Sequence, residues 1–118
     1  MEIENIKFKA KKTLDGKWIK GDLVHHKDSD NVWITDYENQ MTSPVDPSTV
    51  CMFTGLTDKN GTPIYEGDIV MHKDNYTERR GDIYWDSKAA AFFFRQDFLV
   101  HYTSEDMVVI GNEFDKEK

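Results

Sequence analysis

Four histidines, one cysteine and a dense set of carboxylates are the side chains here that could carry chemistry. Their spacing argues against most of it. Neutral imidazole binds zinc readily, so His25-His26, His72 and His101 invite a metal reading. The adjacent pair, however, would point to opposite faces of a strand, and no Cys-x-x-Cys or His-Glu-x-x-His spacing accompanies them. No metal and no other cofactor is expected. Cys51 lies in the apolar run Val50-Cys51-Met52, where a buried, inert thiol is a commoner outcome than an activated nucleophile. Asp58-Lys59-Asn60-Gly61 has the opening of a calcium loop. The sixth position counted from Asp58 is nevertheless Pro63 rather than Gly, and the twelfth is Ile69 rather than a bidentate Glu. Among the remaining carboxylates, Glu66, Asp68 and Asp82 carry no mark of an elevated-pKa acid. The chain is not expected to be an enzyme, and no catalytic residue is assigned.

Two groups of residues could instead form interaction surfaces. Lys7, Lys9 and Lys11 with Trp18 are one; Arg79 and Arg80 beside Tyr84 and Trp85 are the other. Both combine cations with aromatic rings, as small barrels do when they stack bases and track phosphates. The same pattern also describes a solvated strand face over an aromatic core. The formal net charge of -7 repels phosphate backbones and ranks nucleic acid behind a protein partner.

These residues need strands to position them. Ile6, Phe8 and Ala10 alternate with Lys7, Lys9 and Lys11, the period of a half-buried strand whose lysines also discourage edge pairing. Asp15-Gly16 predicts a hairpin turn into Lys17-Trp18-Ile19-Lys20, and Val32-Trp33-Ile34-Thr35 reads as another strand. Residues 36–48 hold Pro44 and Pro47 with little periodicity, and read as an irregular connection with one helical turn near Pro47-Ser48. In residues 53–70, Asp58, Asn60 and Gly61 form a concentrated turn signal, and Gly67-Asp68 a second one. Gly21-Asp22 and Gly81-Asp82 repeat that Gly-Asp pair before an aliphatic residue, which predicts a turn at each strand entrance. Strand is favoured for residues 89–95, residues 97–102 are ambiguous, and the charged tail beyond Phe114 is expected to fray.

A 118-residue chain can bury a core without a disulfide or metal staple, and 13% aromatic residues make that core from few side chains. The fold expected is mainly β: an N-terminal β-hairpin region over residues 1–48, and over residues 49–118 an SH3-like small barrel or strongly bent antiparallel sheet of about five strands. With no apolar run near the length of a membrane span and no signal-peptide core, an intracellular protein without membrane attachment is expected.

The block Phe53-Thr54-Gly55-Leu56-Thr57-Asp58-Lys59-Asn60-Gly61, running into Ile64-Tyr65-Glu66-Gly67-Asp68-Ile69-Val70, resembles the signature of the YopX family of phage and prophage proteins. Gly21-Asp22-Leu23-Val24, Gly81-Asp82-Ile83-Tyr84-Trp85 and the closing Val109-Ile110-Gly111-Asn112 extend the resemblance over nearly the whole chain. The family often has Gly-Gln where this chain has Cys51-Met52, and residues 22–46 match only in outline. The resemblance implies a mostly β protein of phage or prophage origin in the cytoplasm of a bacterial host, and supplies no catalytic residues to carry over. A non-enzymatic module contacting a host or phage protein, with homo-oligomerisation, is the expected function; a nucleic-acid-binding barrel is the alternative.

Overall fold

The computed structural model describes residues 2–115. It is mainly β, with two antiparallel sheets and, among the described residues, only 3-10 turns for helix. No helix is long and apolar enough to cross a membrane. The chain divides into two compact units, Met1–Phe53 and Thr54–Lys118. Residues 116–118, most of the charged tail, lie outside the described residues.

In the first unit, β1 (Phe8–Lys11), β2 (Trp18–His25), β3 (Val32–Asp36) and β4 (Thr42–Val45) follow one another as antiparallel neighbours. On the other side of β1, Phe8 and Lys9 pair with Met52 and Cys51 of β5 (Cys51–Thr57). The β1–β2 turn forms as its residues dictate: the Asp15 carboxylate accepts from the Lys17 N–H at 2.9 Å, and Gly16 takes φ +74°. Ala10, Ile19, Ile34 and Val45 make the buried core, with Phe8, Leu23, Val32 and Val50 packed around it. The end of β4 returns to β1, because the Thr13 N–H donates to Pro44 O (3.1 Å) and the Asp46 N–H to Lys11 O (2.9 Å). The sheet is therefore strongly curled, though not closed.

Two expectations for this unit need correction. Residues 36–48 are not wholly irregular, since they contain β4. That strand escapes a periodicity search because it buries only Val45 and carries Pro44 beside a single strand neighbour. The turn near Pro47 does form, as a 3-10 turn over Pro47–Thr49 whose first free amide is capped by Asp46. Gly21-Asp22 is no turn at all: both residues lie inside β2, paired with Asp36 and Thr35. Glycine is needed there for another reason, because a Cβ at Gly21 would collide with the carbonyl oxygen of Thr35.

In the second unit the rest of β5 neighbours β6 (Pro63–Tyr65), and the Thr54 hydroxyl donates to Ile64 O at 2.8 Å. The larger sheet is built from β7 (Asp68–Lys73), β8 (Glu78–Asp86), β9 (Ala91–Phe94), β10 (Asp97–Phe98) and β11 (Met107–Asn112). Its order is β10-β9-β8-β7-β11, so it ends in two edges and no sheet closes; the SH3-like barrel is not confirmed. Ile64, Val70, Ile83, Phe94, Leu99 and Met107 form the core. Gly81-Asp82 lies in the middle of β8, not at a strand entrance. A Cβ at Gly81 would stand 3.1 Å from Arg95 Cγ and 3.3 Å from the Phe94 ring, so packing explains this glycine too. At 58–61 and 67–68 the turns are where the sequence places them, with Gly61 at φ +83° and Gly67 at φ +86°.

Candidate functional site

The lysine group is assembled on the first unit. Strand β1 turns Lys9 and Lys11 to one face, and register places Lys11 opposite Trp18 on β2. Both ammonium groups lie over the indole, Lys9 Nζ 4.8 Å and Lys11 Nζ 5.5 Å from a ring centroid, while Lys7 Nζ lies 4.5 Å from that of Phe53. Each such contact stabilises by about 0.5–1 kcal/mol when exposed. The result is a cationic stripe in which each ring already carries a lysine ammonium over it.

The arginine group does not hold together. Alternation along β8 puts Arg79 and Trp85 on the face that buries Ile83, and Arg80 and Tyr84 on the other. Trp85 packs edge-on to Phe92 at 5.1 Å and Tyr84 against Phe93 at 5.7 Å. Arg79 Nη1 donates to Asp74 Oδ2 at 3.1 Å, and the Arg80 carbonyl accepts from Arg95 Nη1 at 2.9 Å.

Among the described residues of the second unit, two hollows are instead walled by residues 97–106. The first, about 360 Å³, is polar and is bordered by His72, Asp74, Arg79, Asp97, His101 and Asp106. His101 Nδ1 is 2.8 Å from Asp97 Oδ1. Backbone N–H groups of Thr77 and Tyr76, then the Arg79 guanidinium, lower the Asp74 carboxyl to about 2. His72 is only 5% exposed and packs edge-on to Tyr102 at 5.2 Å, and its Nδ1 has no hydrogen-bond partner among the described residues. The second hollow, about 240 Å³, is apolar and is walled by Leu56, Ala91, Phe92, Phe98, Leu99 and Val100. Its rim is open: Phe98 and Val100 are exposed.

Sequence reading missed both hollows, and the reason is local. Residues 97–102 pack a two-residue strand against a 3-10 turn, which leaves no period to read. The preceding turn, Arg95-Gln96, takes φ +53° and +70° without any glycine. A two-residue turn of this hand normally announces itself by Asn-Gly or Gly-Gly. Such backbone conformations cost on the order of 1 kcal/mol per residue.

Two of the four histidines, His72 and His101, do meet at the polar hollow; His26 packs on Trp33 in the other unit. Among the described residues no three His, Cys, Asp or Glu side chains converge closely enough to hold a metal ion. Glu66 and Asp82 approach Glu113, where burial and then these two charges push the Glu113 carboxyl up. Cys51 is 1% exposed with its thiol directed to Thr49 O at 3.2 Å. Its reaction with a thiol reagent is expected to be negligible in the native protein and complete in denaturant; rapid native labelling would contradict the burial.

The sequence profile of the YopX protein family matches residues 7–117. The chain belongs to the YopX family. Comparison with curated proteins gave no match.

The two parts of the YopX-like block have structural work in this fold. Asp58 Oδ1 accepts from the N–H groups of Asn60 (2.8 Å) and Thr62 (2.9 Å), making the turn. Its Oδ2 accepts from the Val109 N–H on β11 at 2.9 Å, and the Lys59 N–H donates to Met107 O at 3.0 Å. The turn therefore covers the outer edge of β11. Asp68, 1% exposed, accepts from the Tyr65 N–H (2.7 Å) and from Asn112 Nδ2 (2.9 Å); Asn112 Oδ1 in turn accepts from the Phe114 N–H. In this YopX-family chain the signature block is thus tied to β11 at two places, at Met107 and Val109 through the Asp58 turn and at Asn112 through Asp68.

Proposed function

We propose that the chain is a non-enzymatic protein-interaction module of phage or prophage origin, acting in the cytoplasm of a bacterial host. The observation that carries this reading is the apolar hollow walled by Leu56, Phe92, Phe98 and Val100. It is large enough for one or two aliphatic side chains of a partner, and burying each would contribute about 1.5–3 kcal/mol. Val100, 79% exposed, contributes little to the fold and much to the rim.

Val100→Glu is therefore expected to leave the melting temperature within a few degrees of wild type while removing partner binding. The check is affinity capture from lysogenic cells with both proteins in parallel. A partner retained equally by wild type and Val100→Glu contradicts the assignment of the hollow. If the captured partner is a second copy of this chain, light scattering shows a dimer for wild type and a monomer for the variant.

A second reading, nucleic-acid binding, has one observation in its favour: Lys7, Lys9 and Lys11 gather around Trp18 and Phe53. It ranks lower because those rings already carry lysine ammonium groups and the net charge is -7. It requires salt-sensitive retention on single- or double-stranded DNA or RNA that Lys9→Glu with Lys11→Glu removes.

A further inference from the structure

We propose that the polar hollow takes the basic side chain, Arg or Lys, of the same partner segment whose apolar residue fills the adjoining hollow. This rests on the protein-interaction reading above and names the partner's chemistry. The two hollows share one wall: Asp97, His101 and Asp106 border the polar one, Phe98, Leu99 and Val100 the apolar one. A segment of a few residues lying along that wall meets both.

Three features select a cation. Three acidic residues, Asp74, Asp97 and Asp106, line the hollow beside one arginine, Arg79. Asp74 is committed to Arg79 and to its own turn, and Asp97 to His101 and the Phe98 N–H, but the Asp106 side chain has no partner among the described residues. Asp106 is exposed and lines the hollow, which makes its carboxylate the natural terminus for a guanidinium or ammonium. His72, buried and lining the hollow, has an Nδ1 without a hydrogen-bond partner among the described residues, and a polar group entering the hollow would supply one. The Tyr102 ring beside it offers an aromatic surface to a cation. An anionic ligand would meet the same three carboxylates unfavourably.

The test selects random linear peptides against the immobilised intact chain and against Val100→Glu. Peptides enriched on wild type are expected to carry an apolar residue close in sequence to Arg or Lys. In a synthetic enriched peptide, replacing Arg by citrulline should weaken binding to wild type about tenfold, the size of one charge-assisted contact. Against Asp106→Asn, an exposed substitution, the same replacement should weaken binding less than about threefold; Asp97→Asn serves as the second variant. Enrichment of apolar peptides with no basic preference, or with an acidic one, overturns this proposal and leaves the apolar docking site standing. An equal citrulline penalty in wild type and both variants also overturns it. Enrichment no greater on wild type than on Val100→Glu overturns both readings together.

Discussion

Asp58→Ala is expected to lower the stability of the second unit by about 3–4 kcal/mol, and Asp58→Asn by about half as much. Asp58 is 6% exposed, and its carboxylate accepts three backbone N–H bonds, from Asn60, Thr62 and Val109. Bonds to an ionised acceptor contribute roughly 1.5–3 kcal/mol each, and their loss here is shared because the loop relaxes as a whole. Asparagine keeps one oxygen for the turn, but it turns an amide N–H toward the Val109 N–H or forfeits the turn. The pH dependence separates the charge from the shape. Burial raises the Asp58 carboxyl, yet the three N–H donors outweigh it and hold the group below its ordinary 3.8. A depressed carboxyl stabilises fully above its unfolded pKa and loses that contribution as pH falls through the folded value. The gap between wild type and Asp58→Asn in urea midpoints should therefore be widest at neutral pH and narrow below about pH 4. A gap that stays constant down to acid would mean the charge does not contribute.

Asp58 also shows what the sequence can and cannot disclose. Asp-Lys-Asn-Gly announces its turn because the chemistry is local: a short carboxylate reaching amides two and four residues on. The same side chain's bond to Val109 spans 51 residues and leaves no local trace. Lys9, Lys11 and Trp18 were legible as a group because strand alternation and one hairpin register bring them together. Arg79 and Arg80 were misleading as a group because adjacent residues of a strand face opposite ways. Residues 97–106 stayed opaque: their order comes from Leu99 seating in the core and from Asp97 bonding His101, not from any period. Gly21 and Gly81 carried the same Gly-Asp pattern as Gly67, but only Gly67 has a positive φ. A motif of two residues does not distinguish backbone conformation from close packing.

That distinction yields the other large effect. Gly21→Ala is expected to cost more than about 3 kcal/mol and to disorder the first unit, whereas Gly81→Ala should cost no more than about 1–2 kcal/mol. Neither glycine needs φ > 0, so the difference comes from what each Cβ would meet. At Gly21 it would strike the carbonyl oxygen of Thr35 and stand 2.8 Å from that carbonyl's carbon. Both are backbone atoms of β3, and Gly21 is held between Phe8 of β1 and Asp36 of β3, so β2 has no free side toward which to shift. Relief requires breaking the pairing of a central strand and opening the core around Ile19 and Ile34. At Gly81 the nearest atom is Arg95 Cγ, in a side chain that is free to swing at the cost of its bond to Arg80 O, and the Phe94 ring need move only a few tenths of an ångström. Tryptophan fluorescence reads the outcome, since Trp18 and Trp33 report on the first unit and Trp85 on the second. The Gly21→Ala spectrum should show exposed indoles before denaturant is added, and the Gly81→Ala spectrum should not. A Gly21→Ala protein as stable as wild type would mean that β2 and β3 do not approach as closely as the register between Gly21 and Asp36 requires.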